Sequence, residues 1–533
     1  MSPIDTLHPI LVDGRWIRAG APTGRFRAVD PSTKRELGGR GYPVSDWPDL
    51  EAMLAAGRRA AADMARLPAG RIADFLDTYA GAIEARAAEL VETAHRETGL
   101  PTEPRLRNVE LPRTSGQLRQ AAQAARDGGW SRPTIDTAAG IRSVHGPLGG
   151  PVLVFGPNNF PFAFNGIAGG DFAAAIAAGN PVIAKAHPGH PGTSALLAEA
   201  ALASAEATGL PAGAVQMFFH ADVGLGLRLA ADPAVAAVAF TGSRAAGMAL
   251  KAAADKAGKP VYVEMSSVNP VFVLAGALRE RGTAIANELH ASCAMGAGQF
   301  CTKPGLAVLA PGGHAEAFVE ALRHLTAAAA PGVLLTPRSP QAVADAVARL
   351  RSAGADLLAG GGIADAAAGH AFQPTLLRVS GRRFLEDPVA LQSEAFGPVC
   401  LLVAADSTEQ LPRIAEAMEG NLTAAVYSDT GGADDETYDA LERILRPRVG
   451  RLLNDRMPTG VAVSAAMNHG GPFPSTGHPG FTAVGFPAAA IRFSALHCYD
   501  NVRHHRLPPS LRDHNPTGAL LRWIDGEWTT RDA

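Results

Sequence analysis

Cysteine is scarce in this sequence: 533 residues hold four, Cys293, Cys301, Cys400 and Cys498. Two disulfides at most cannot brace a chain of this length, so a disulfide framework is excluded and a reducing compartment is implied. Charge of one sign is lacking as well. Lys and Arg number 48 against 51 Asp and Glu, a formal net charge of −3 without basic runs, and phosphate neutralisation needs clustered basic residues. Nucleic acid is therefore not an expected partner. No apolar run reaches the roughly 18 residues that span a bilayer, and the opening MSPIDTLHPILVDGRWIRAG has neither a basic start nor a long apolar core. No membrane partner is expected, and a cytoplasmic location is. Gly and Pro, 58 and 40 residues, stay below the roughly 25–30% at which low-complexity disorder becomes the better description. What is present is 47% hydrophobic residues in a chain long enough for two or more cores.

The first 45 residues alternate short β-like runs (ILVDGRWI, RFRAVDP) with Gly and Pro. Helical patterns follow over 48–66 and 69–97 and on to about 125. The segment GGWSRPTIDTAAGIRSVHGPLGG suits a hairpin or arm. From Pro151 the runs PVLVFG, NPVIAK, AVQMFF, VAAVAF and PVYVEM alternate with helical stretches near 162–178, 193–208, 223–231 and 245–257. Short apolar strands separated by amphipathic helices predict a parallel sheet covered on both faces, an α/β fold. A second α/β pattern starts at NPVFVL (269–274), with a helix near 282–297, GLAVLA (305–310) and helices near 314–328 and 340–353. Residues 455–533 are rich in Gly, Pro and His, and the closing LLRWIDGEWTTRDA receives no assigned role. Parallel sheets bind ligands at the carboxyl ends of their strands. That singles out Asn159, Lys185, Ser243 and Glu264, each polar just where an apolar strand stops.

In GAGQFCTKPG, Cys301 is flanked by glycines that let a ligand approach the backbone, whose amides can stabilise a thiolate or an oxyanion. The segment alone suits a buried packing cysteine equally. Glu264 at the end of PVYVEM has the position of a general base whose pKa burial would raise, or of a cap or ion-pair partner. Asn159 can donate to an oxyanion, or simply make a turn. His187 with His190, and His504 with His505, lack a third ligand type nearby, so no metal is expected. Cys293 reads as a packing residue on the preceding helix, and Cys498, beside His497, only mimics a Cys/His pair.

Together these segments resemble the aldehyde dehydrogenase superfamily over nearly the whole chain. The matches run in order: Asn159-Phe160-Pro161, Lys185 in NPVIAKAHPGHPGTS, Phe240-Thr241-Gly242-Ser243 with Gly247, Glu264 in VEMSSVNP, Cys301 in GQFCTKPG, and Glu394 and Phe396 in SEAFGPV. The resemblance implies that a Cys301 thiolate attacks an aldehyde, that the Asn159 amide and the Cys301 backbone N–H hold the oxyanion, and that Glu264 activates the hydrolytic water. It implies that Lys185 and Glu394 hold ribose hydroxyls, that Phe396 packs by the nicotinamide, and that Gly242, Ser243 and Gly247 let a helix N-terminus approach the pyrophosphate. No G-x-G-x-x-G follows PVLVFG, as is usual in that superfamily. Its NAD-preferring members place Glu where this chain has Pro188, which leaves room for a 2′-phosphate, whereas Asp222 would oppose one. The implied cofactor is NADP or NAD, with the preference open.

The implied architecture is two Rossmann-like parallel-sheet domains plus a β oligomerisation arm. Residues 1–129 and 147–265 would form the NAD(P)-binding domain, 266–455 the catalytic domain, 130–146 and 484–500 the arm, and 501–533 an extension of unknown role, in a homodimer or homotetramer. Within the superfamily, RETGLP, RTSGQLR, KAHPGHPGTS, EMSSVNPVF, PTGVAVSAAMNHGGPFPST and LPPSLRDHNP resemble the branch of α-ketoglutarate semialdehyde (2,5-dioxopentanoate) and NADP-dependent fatty-aldehyde dehydrogenases. The expected substrate is α-ketoglutarate semialdehyde, with medium or long aliphatic aldehydes as the alternative. Retention of Glu264 argues against CoA acylation, and Cys301, Glu264 and Asn159 together argue against a non-catalytic dinucleotide-binding protein.

Overall fold

The apolar runs after Pro151 become the strands of a seven-stranded sheet in a computed structural model that describes residues 7–365 and 369–533. The sheet order is Val261–Glu264, Ala237–Thr241, Val152–Phe155, Val182–Lys185, Val215–Phe218, Ile10–Val12, Arg15–Ile17. The first five are parallel and almost wholly buried, as expected of strands covered on both faces. The last two form an antiparallel edge, turned by Asp13-Gly14, both with positive φ (48° and 70°). The chain runs outward from Val152–Phe155 through Val182–Lys185 to Val215–Phe218. It then crosses back to lay Ala237–Thr241 on the opposite side. The direction therefore reverses beside Val152–Phe155, which opens a crevice at the carboxyl edge.

A second seven-stranded sheet has the order Asp356–Ala359, Thr375–Ser380, Val399–Ala404, Leu306–Leu309, Val271–Val273, Asn421–Tyr427, Val449–Asn454. It is parallel except at its first pair. Each large sheet has its own buried apolar cluster. No helix among the described residues is long and apolar enough to cross a membrane.

The structure departs from the sequence pattern in several places. The stretch expected as one helix over 69–97 is two, Ala69–Ala85 and Ala87–Thr98, broken at Arg86. Of 162–178 only Gly170–Ala177 is an α-helix, because Glu110 draws the preceding backbone into turns by accepting from Phe162 N (2.8 Å) and Ala163 N (3.0 Å). The hairpin Thr134–Asp136 and Ile141–Pro147 pairs with Ser494–Asp500. Residues Val484, Phe486, Ala489 and Phe493 instead sink into the first core, so the arm strand starts at Ser494. The C-terminal segment without an assigned role extends this arm: Arg522–Ile524 pairs with Thr134–Asp136, and Glu527–Thr529 completes a five-stranded sheet. Asp525 and Gly526 (φ 49° and 96°) make its turn, and the fully buried Arg522 ties it down by donating to the carbonyls of Arg512, Asp513 and Arg531.

Candidate active site

Cys301 lies just past the helix Ala275–Ala294, in a loop whose backbone is forced into an unusual path. Gly296, Ala297 and Gly298 all have positive φ. A Cβ at Gly298 would lie 2.1 Å from the carbonyl oxygen of Gly397, so the loop and the 395–398 segment touch backbone to backbone. Side-chain amides pin the loop on both sides of the sulfur. Asn159 Nδ2 donates to Gln299 O (2.9 Å), and Asn269 Nδ2 donates to Cys301 O (2.9 Å) and Lys303 O (3.0 Å). The buried Lys303 ammonium donates to Ala395 O and Val399 O. Asn159, 6% exposed, keeps its second N–H for another acceptor.

The sulfur faces polar groups. His469 Nε2 lies 3.4 Å from Cys301 Sγ and 3.2 Å from Glu264 Oε1, and the three ligand atoms fall within 4.8 Å of one another. His469 and Glu264 are 2% and 1% exposed, and neither Glu264 oxygen finds an aligned hydrogen-bond donor among the described residues. Residues 469–477 reach this point because they run along the end of Val261–Glu264, with Met265 N donating to Ser475 O and Gly477 N to Val263 O. Burial pushes the Cys301 thiol well up, the Glu264 charge pushes it further, and Arg113 is a cation that pulls it back. A neutral thiol thus rests beside an imidazole and a carboxylate able to take its proton. This trio is the one group of three metal-ligating side chains among the described residues. The His187 and His190 rings lie 5.5 Å apart and tilted by 30°, with a nitrogen of each tied to Gly189 N and Pro157 O respectively. Cys293, in contrast, donates to Pro304 O and packs against the second core.

A second polar layer lies beside Asn159. Arg105 donates to Glu110 through Nη1 and to Asn159 O through Nη2 (2.9 Å), and its guanidinium lies over Phe160 at 4.4 Å. Arg113, at the start of the helix Leu111–Asp127, rests over Phe164 at 5.0 Å. Neither arginine, nor Glu110, nor His469 stands out from residue type and spacing. Arg113 and His469 do fall within RTSGQLR and PTGVAVSAAMNHGGPFPST, the segments that carry the resemblance.

Of the residues expected at a cofactor, Lys185, Pro188, Gly242, Ser243 and Gly247 lie along the carboxyl edge of the first sheet, and Glu394 and Phe396 lie just before the strand Val399–Ala404 of the second. Lys185 ends its strand with its pKa lowered by burial to about 8, and Pro188 is in the loop that follows. Ser243 caps the helix Arg244–Lys256, its Oγ accepting from Ala246 N (3.4 Å). Gly242 N donates to Glu264 O, which joins this edge to the carboxylate. At Gly242 a Cβ would fall 2.6 Å from the Phe240 ring, and at Gly247 2.7 Å from Met265, so the protein's own packing demands both glycines. Glu394 is raised to about 7 by burial, with Lys303 nearby opposing the shift. Phe396 follows it, half-buried.

Fold and site together define a doubly wound α/β protein with a half-buried thiol beside a buried imidazole and carboxylate at the carboxyl edge of a sheet. The chain belongs to the aldehyde dehydrogenase family, whose model matches residues 16–465. It is 40% identical over 525 residues to alpha-ketoglutaric semialdehyde dehydrogenase 2 of Azospirillum brasilense, covering 95% of this chain and 96% of the relative. It is 39% identical over 473 residues to the alpha-ketoglutaric semialdehyde dehydrogenase of Acinetobacter baylyi, covering 86% and 87%. Among solved structures, lactaldehyde dehydrogenase from Escherichia coli shares the fold with a TM-score of 0.78 at 23% identity, covering 92% of this chain and 98% of that one. Aldehyde dehydrogenase C from Pseudomonas syringae does so with a TM-score of 0.78 at 19% identity, covering 93% and 97%.

Proposed function

We propose that the protein oxidises α-ketoglutarate semialdehyde to α-ketoglutarate with NAD or NADP, through a covalent thioester on Cys301. The single observation that carries the chemistry is the placement of Cys301 Sγ within reach of both His469 and Glu264; the substrate follows the names of the two semialdehyde dehydrogenases above. The crevice suits a dinucleotide: a helix N-terminus capped by Ser243 for the pyrophosphate, and Lys185 and Glu394 for the riboses. When bound, the nicotinamide supplies the hydride acceptor. His469 or Glu264 takes the thiol proton, and the sulfur adds to the aldehyde carbon. The second Asn159 N–H and the Cys301 backbone N–H hold the oxyanion. Glu264, buried and with neither oxygen in an aligned hydrogen bond among the described residues, then deprotonates the water that cleaves the thioester, and the acid leaves. Aldehyde, water and NAD(P)+ become carboxylate, NAD(P)H and two protons.

The arm, with Leu496, Ile141 and Trp528 exposed at 61%, 40% and 51%, is assigned to self-association in a homodimer or homotetramer. Medium-chain aliphatic aldehydes are the second reading, favoured by the wall of Phe160, Phe164 and Phe300. Steady-state rates for α-ketoglutarate semialdehyde, succinate semialdehyde and hexanal, each with NAD and NADP, test the assignment. We expect kcat/KM for the first to exceed that for hexanal by at least about tenfold. A preference for hexanal would overturn it.

A further inference from the structure

The guanidinium of Arg113 is the feature of the site that the chemistry above leaves unused. Its Nε and Nη2 atoms are both buried and have no hydrogen-bond partner among the described residues. These two nitrogens form one edge of the planar group, with two parallel N–H vectors that match the two oxygens of a carboxylate. A buried guanidinium edge left empty is unfavourable, and such groups in folded proteins are nearly always paired. Of the carboxylates whose charge acts on Arg113, Glu110 is already taken by Phe162 N, Ala163 N and Arg105 Nη1, and Glu264 makes no hydrogen bond to it. Arg105 has only its Nε without a partner. Arg451, the other arginine whose charge couples to Cys301, spends Nη1 and Nη2 on the carbonyls of Pro458 and Gly460. Arg113 therefore presents a fixed, two-donor cationic edge. Phe164 and Phe160 hold it in place, and its charge reaches Cys301 and Glu264.

We propose that Arg113 determines substrate specificity by holding the distal carboxylate of the aldehyde in a two-point pair while the aldehyde carbon sits at Cys301. This rests on the semialdehyde reading above and names the group that enforces it. An uncharged aldehyde leaves the edge empty. A carboxylated one fills it and is oriented by the same contact.

The test compares wild type, Arg113→Met and Arg113→Lys on α-ketoglutarate semialdehyde and on pentanal, the uncharged aldehyde of equal length. The ratio of kcat/KM for the charged over the neutral substrate is expected to fall about 100-fold in Arg113→Met, mostly through KM, with Arg113→Lys in between because it keeps the charge and loses the fork. In parallel, α-ketoglutarate is measured as a competitive inhibitor of pentanal oxidation, and its Ki is expected to rise at least about 30-fold in Arg113→Met. An unchanged ratio together with an unchanged Ki, with both substrates slowed alike, would overturn the assignment and leave Arg113 a structural or thiol-tuning residue. Wild type preferring pentanal sinks the substrate reading alone, and the inhibition arm then decides Arg113. Circular dichroism checks folding, and if Arg113→Met does not fold, Arg113→Lys carries both comparisons.

Discussion

The two sides of the site are built on different plans. On the side proposed for the cofactor, Lys185 and Ser243 stand where parallel strands of one sheet stop. The backbone hydrogen bond from Gly242 N to Glu264 O extends the ladder that ties the strand before Ser243 to the strand ending in Glu264. On the substrate side, Arg113, Asn159, Glu264, Cys301 and His469 come from five separate segments. Buried side chains tie the backbone around them: Asn159 and Asn269 donate to the carbonyls of Gln299 and Cys301, and Glu110 accepts from Phe162 N. The first plan places groups by strand register and tolerates local change. The second depends on each link, so substitutions there should reach the chemistry rather than binding alone.

The largest effect is expected at the sulfur. Cys301→Ser should lower NAD(P)H production by at least about 10³-fold while dinucleotide binding, followed by nicotinamide fluorescence, persists. Full turnover in that variant would remove the thiol from the mechanism. Glu264→Gln should retain a pre-steady-state burst of NAD(P)H and slow steady turnover by about 10²-fold; a normal steady state would transfer the base to another group. The same variant sharpens the electrostatics. Burial and the Glu264 charge both raise the Cys301 pKa, so in the free enzyme the rate of iodoacetamide labelling of Cys301 should still be climbing above pH 9. Removing the negative charge should move that profile to lower pH. A shift upward would mean that Glu264 does not act on the thiol.

On the cofactor side, Lys185→Ala should raise the cofactor KM by about tenfold, the loss of one charged hydrogen bond, with kcat within about threefold. A kcat collapse there would erase the contrast between the two plans. The smallest effect belongs to the arm. Gly526→Ala, at φ 96°, should cost about 1 kcal/mol locally. Faster amide exchange confined to 522–529 would report it, with turnover unaffected.

Much of the cofactor edge was legible because a strand end is a local event: an apolar run stops and a polar residue follows. The closing LRWIDGEWT received no role from its sequence, although its Asp-Gly pair is a local turn signal, because its attachment to the arm depends on a partner strand far away in the chain. Arg86 breaks a continuous helical pattern, and Glu110 diverts residues 162–169 from helix. Both effects depend on partners distant in sequence, which periodicity does not register. Cys301 stood out because a thiol among glycines is unusual, whereas His469 and Arg113 are ordinary residues in ordinary settings until the chain folds.

The α/β class, the succession along the chain of the apolar runs that end in the proposed cofactor groups, and the family are legible in residue order alone, since alternating apolar runs and short motifs survive without any knowledge of contacts. Folding alone brings an imidazole 168 positions from Cys301 to 3.4 Å from its sulfur, and leaves two N–H groups of Arg113 buried with no hydrogen-bond partner among the described residues. The physical reason is that proximity and desolvation are properties of the folded interior. A hydrogen bond left unmade exists only after every other group around it has found its own.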